Sequence, residues 1–121
     1  MRQSDFKAKT WDYIVERYRH LASVHPAFEP MHHFVSQVVT SGYSAGLFPA
    51  MSMHTLLISQ TSEFDRNHEM LEVNFYSAEQ TFRFEYWEYP VGSIKRWTRE
   101  CNADEGFATL ERFLQLKKWF V

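Results

Sequence analysis

Six histidines, one cysteine, a glycine-flanked serine and a run of carboxylates are the groups through which this 121-residue chain could do chemistry. A zinc site needs three or four converging ligands. The histidines are His20, His25, His32, His33, His54 and His68, and neighbouring residues on a helix point about 100° apart. His32 and His33 therefore cannot aim both rings at one ion from a helix, and no HExxH spacing occurs. Separate surface, cap or core-edge roles account for these rings better than a metal centre, and no metal or cofactor is expected.

Cys101 precedes a segment that reads as a helix start, where a thiolate would be favoured. A catalytic cysteine also needs a base and an oxyanion environment, and one Cys supplies neither. The alternation of the last strand instead puts Cys101 on the inward side with Trp97. Gly42-Tyr43-Ser44-Ala45-Gly46 has the Gly-x-Ser-x-Gly spacing of a nucleophile elbow with Ser44 at its centre, but it follows an expected helix where an elbow needs a strand before it, and it lacks the lysine and hydroxyl of a phosphate-binding loop. No catalytic residue can be assigned from motifs.

The carboxylates are informative as an array. Residues 61–92 carry Arg66 and Arg83 against Glu63, Asp65, Glu69, Glu72, Glu79, Glu85 and Glu88, a local net charge of −5 in a chain whose total is −2. Glu72 and Glu85 fall on the polar positions of two alternating segments, and Arg83, Trp87 and Tyr89 share that parity. Glu88 changes parity unless a bulge interrupts the strand. A face of Glu72, Arg83, Glu85, Trp87, Glu88 and Tyr89 suits protein recognition: the rings bury area and the charges orient the partner. Paired carboxylates also serve glycoside chemistry, but such pairs are common on sheets without a pocket.

The elements that must position these groups follow from periodicity. Trp11, Ile14, Val15, Tyr18, Leu21 and Ala22 recur at helical spacing, which predicts a first helix from about Asp5 to Ala22, started by Ser4 or Asp5 and ended before His25-Pro26. A second helix is expected from Glu29-Pro30 to a left-handed Gly42, with a strand from Val35 as its competitor. The 42–49 segment reads as an apolar connector. Met53–Gln60, Met70–Tyr76, Thr81–Tyr89 and Ile94–Cys101 read as strands of an antiparallel meander, with Phe82 and Phe84 inward and Arg83 and Glu85 outward. Asn102 and Glu105 have the spacing of a capping box before a last helix containing Phe107, Leu110, Phe113 and Leu114.

The expected fold is therefore α+β, one domain over residues 1–121: two N-terminal helices, a three- or four-stranded antiparallel sheet and a C-terminal covering helix. A chain of this size, 45% hydrophobic, can bury an ordinary core. The single cysteine rules out an internal disulfide framework. No apolar stretch follows the first residues and no run approaches the length of a membrane span, so a reducing, cytoplasmic location is expected.

The functional expectation is a small protein-interaction domain, an adaptor or an immunity-type inhibitor, that covers a basic partner surface. Self-association through the same face or through a sheet edge is its nearest competitor. A small hydrolase with a His/carboxylate site near the 42–54 connector, drawing on His54 or His68, is one alternative. Weak nucleic-acid binding through Lys95-Arg96-Trp97-Thr98-Arg99 is another, opposed by the acidity of the preceding strands.

Overall fold

The computed structural model describes residues 6–64, 69–87, 95–117 and 119. The order is β1 (Phe6–Lys7), α1 (Trp11–Val24), α2 (Glu29–Ser41), β2 (Phe48–Ser52), β3 (Thr55–Ser59), β4 (Glu63–Phe64), β5 (Met70–Tyr76), β6 (Thr81–Trp87), β7 (Lys95–Asn102) and α3 (Gly106–Lys117). Strands β2-β3-β5-β6-β7 form one antiparallel sheet in sequential order, and β1 pairs with β4 in a separate ribbon. The fold is α+β with helices at both ends of the chain, as the periodicities require. The sheet has five strands rather than three or four, because the end of the apolar connector pairs with β3 from Phe48 opposite Ser59 to Ser52 opposite Thr55. Pro49 is tolerated there because β2 is an edge strand.

Alternation on the central strands decides what faces the helices. Phe82, Phe84 and Tyr86 are buried on β6, as are Leu71 and Val73 on β5 and Leu56 and Ile58 on β3. From α2, Phe34 lies 5.5 Å from Phe82 and 5.9 Å from Phe84, ring centre to ring centre. From α3, Phe113 packs on Tyr86 at 5.5 Å and on Trp97 at 5.0 Å. The second segment is helical throughout, since Met31, Phe34, Val35 and Val38 form one buried stripe, and Gly42 closes it with φ of 92°. Trp11, Phe75 and Phe107 are half-buried and pack against the margin of this core.

Helix starts differ from expectation at both ends of the chain. Thr10 caps α1 through its side chain, accepting from Tyr13 N. Ser4 and Asp5, the expected caps, lie outside the described residues. Asn102 is extended and makes no side-chain cap bond; a 3₁₀ turn at Ala103–Glu105 intervenes and α3 begins at Gly106. Close packing sets that start: a Cβ at residue 106 would lie 2.8 Å from the Phe82 ring. The capping-box spacing is therefore present without its geometry.

The β2–β3 turn is tied down from α1, where the Tyr18 hydroxyl donates to the His54 carbonyl at 3.0 Å and burial pushes the Tyr18 phenol well above its ordinary pKa. At its tip Met53 has φ of 58° and is 90% exposed, an apolar side chain in a conformation that favours glycine.

Phe84→Ala should cost about 3–5 kcal/mol by removing a fully buried ring. Asn102→Ala should cost less than about 0.5 kcal/mol, since no cap bond is lost. Met53→Gly should stabilise by up to about 1 kcal/mol through relief of the left-handed conformation. Urea midpoints of the three variants check the order. A large Asn102→Ala penalty would contradict the described helix start.

Candidate functional site

The sheet face turned away from the helices has two regions. Beneath β2, β3 and the start of β5, a second apolar cluster of Ala50, Leu57, Phe64 and Met70 is packed against Ala8. Phe64 comes from the β1–β4 ribbon, where Phe6 pairs with Phe64 and Lys7 with Glu63, and Lys9 N donates to Pro49 O at 2.8 Å. The outer face is therefore apolar on this side. The face takes its polar character only where β5, β6 and β7 extend past the ribbon.

On that remaining region Glu72, Arg83 and Glu85, three of the six residues expected there, lie on adjacent strands. Glu72 stands directly opposite Glu85, and Asn74 opposite Arg83. On β7, Thr98 lies opposite Glu85 and Glu100 opposite Arg83. Arg83 is the cationic hub of this group: its Nη2 is 2.8 Å and its Nε 2.9 Å from Glu100 Oε2, and its Nη1 is 3.9 Å from Glu85 Oε2. Its guanidinium also lies 5.0 Å from the Tyr76 ring centre. The Glu100 carboxylate holds Arg83 even more firmly protonated than usual, with Tyr76 and Glu85 adding to the effect. Glu85 is much the less accessible of the two carboxylates, its side chain 14% exposed against 55% for Glu100. Trp87 is half-buried, opposite buried Met70, so it borders the apolar cluster rather than standing out as an exposed ring. Glu88 and Tyr89 lie outside the described residues.

Tyr76 and Glu100 were not foreseen. Tyr76 has the parity of Glu72 and could have been found from it; Glu100 joins only through the register of β7 on β6.

The other candidate groups are dispersed. Among the described residues no set of three or more His, Cys, Asp or Glu converges as metal ligands. His54 is exposed and its ring packs edge-on to Phe28 at 5.0 Å, while His68 lies outside the described residues. A cleft of about 430 Å³ does contain a histidine and carboxylates, but it lies between α2 and the start of α3, with Glu29, His33, Gln37 and Asp104 above Phe34 and Phe107, not at the 42–54 connector. Cys101 sits on the helix-facing side with Trp97, and burial raises its thiol pKa, which opposes nucleophilic use at neutral pH. Trp97 is engaged with Phe113, with the Arg99 guanidinium 5.4 Å from its ring centre, so base stacking would compete with core packing.

The Arg83–Glu100 pair joins side chains 41% and 55% exposed. A double-mutant cycle with Arg83→Met and Glu100→Gln should give only a weak coupling that added salt screens away. A strong coupling that persists at high salt would mean that the pair is a structural clamp rather than a solvated surface group. No protein-family model, no curated protein and no solved structure matches the chain, so what this face does has to be argued from its own geometry.

Proposed function

We propose that the β5–β7 face binds a protein partner through a cationic surface on that partner, in the manner of an adaptor or an inhibitor that occludes a basic substrate groove. The observation that carries this reading is the placement of Glu72 directly opposite Glu85, with Glu100 on the next strand. A row of carboxylates on adjacent strands attracts and orients a partner's Lys or Arg side chains. Among the described side chains of this group, Arg83 shares one guanidinium between Glu85 and Glu100, so carboxylates outnumber cations there. Tyr76 and the edge of Trp87 flank the charges with ring surface suited to desolvated contact. The polar groups steer and orient, and the rings supply buried area.

The test begins with capture from the source cell at low salt and continues with the purified partner by calorimetry. The partner should present a basic surface, and an inhibited partner should lose its activity on the complex forming. Glu72→Gln/Glu85→Gln and Glu100→Lys should each weaken binding by roughly tenfold or more, since charge pairs at such interfaces couple by about 1.5 kcal/mol and upward. The wild-type affinity should fall as salt rises, and less steeply in the variants. Circular dichroism confirms that the variants fold. Unchanged affinity in both folded variants would remove the face from consideration.

A further inference from the structure

The two edges of the sheet are treated differently. Edge strand β2 carries Pro49, whose carbonyl is taken by Lys9 N at 2.8 Å, so the N-terminal segment occupies that side. Edge strand β7 runs from Lys95 to Asn102 without proline, and Thr98, Arg99 and Glu100 are all exposed along it. A long edge strand is a template for another strand unless it is blocked. Charges are one way to block it, but only if they repel an incoming copy.

The charges of β7 do not repel a copy in every register. In an antiparallel pair about a twofold axis normal to the sheet, residues that face each other share parity, so one residue sits on the axis. With Trp97 on the axis, Arg99 has no facing residue within the regular span Trp97–Asn102. Placing Arg99 there sets it against its own copy, and Glu100 does the same. With Thr98 on the axis no like charges meet within the regular span Trp97–Asn102, and Trp97 faces Arg99 in both directions. The Trp97–Arg99 pairing repeats across the axis a contact already made within the chain, where the guanidinium lies 5.4 Å from the ring centre. The register irregularity opposite Tyr86 and Trp87 falls at the start of β7 and leaves Trp97–Asn102 regular for pairing.

We infer that the occupant of the β7 edge is a second copy of this chain, joined antiparallel about Thr98 into a continuous two-chain sheet. This inference does not rest on the proposed partner: a monomer that binds a basic protein normally would overturn it alone. The test uses the full chain in analytical ultracentrifugation from low to high micromolar concentration. A concentration-dependent dimer of about twice 14.5 kDa is expected, with dissociation about tenfold easier in Arg99→Glu because two symmetric cation–π contacts are lost. In a Cys101→Ser background, Thr98→Cys should form a covalent dimer on mild oxidation, since facing Cα atoms in either kind of antiparallel pair are about 4.5–5.5 Å apart, within disulfide range. Asn102→Cys, away from the axis, should not. A monomer at every concentration, or a dimer that fails either the Arg99 or the Thr98 test, overturns the inference. A dimer lost in Glu72→Gln/Glu85→Gln instead would assign self-association to the open face.

Discussion

Burial of one face of β6 constrains everything else in the molecule. Phe82, Phe84 and Tyr86 each bring a large ring to the same side, where Phe34 of α2 and Phe113 of α3 meet them. A slip of one residue would drive Arg83 and Glu85 into that layer and expose three rings at once, so the register is specified by burial rather than by the turn. With β6 set, β5 and β7 inherit their registers. The opposition of Glu72 to Glu85 and of Arg83 to Glu100 follows as a consequence of packing on the far side.

The outward face would be broad if five strands were left open. The β1–β4 ribbon prevents this by laying Phe64 over Ala50, Leu57 and Met70. Leu57 explains why the ribbon is needed: β3 reads Leu56-Leu57-Ile58, so burying Leu56 and Ile58 against the helices leaves a leucine on the other face. Covering it removes apolar surface from water and confines the solvated part of the sheet to the acidic strands. The candidate site is thus bounded by hydrophobic necessity on one side and by the β7 edge on the other.

What could be read from the sequence follows the same logic. β5 and β6 were legible because each carries a period-two pattern strong enough to name both faces, and the grouping of Glu72, Arg83, Glu85 and Trp87 came with them. α2 was ambiguous in sequence because its β-branched pairs suit a strand, and its helical stripe shows only against Phe82 and Phe84. β2 hid in a segment punctuated by glycine and proline, since an edge strand can hold Pro49 and the sequence does not announce which strand is the edge. Asn102 misled because capping spacing is a local signal, whereas the start of α3 is set by a tertiary contact between Gly106 and Phe82. Phe64 and Glu100 entered through pairings that no local pattern encodes.

The face and the edge also bear on each other physically. A twofold axis through Thr98 and normal to the sheet maps each face onto itself, so in the inferred dimer the acidic regions of both copies lie on one side of a continuous sheet, with Thr98 and Glu100 near its centre. Glu100, paired with Arg83 of its own chain, would then lie beside the seam between the copies, linking the charge of the open face to the occupancy of the edge. Two adjoining acidic regions present a longer negative surface than one and allow a basic groove to be engaged at two places, where effective concentration raises avidity without any new kind of contact. Met53 lies outside this arrangement, at the β2–β3 turn on the opposite edge of the sheet, with Tyr18 anchoring the neighbouring carbonyl. Its strained backbone and exposed side chain are therefore explained by neither the acidic face nor the paired edge.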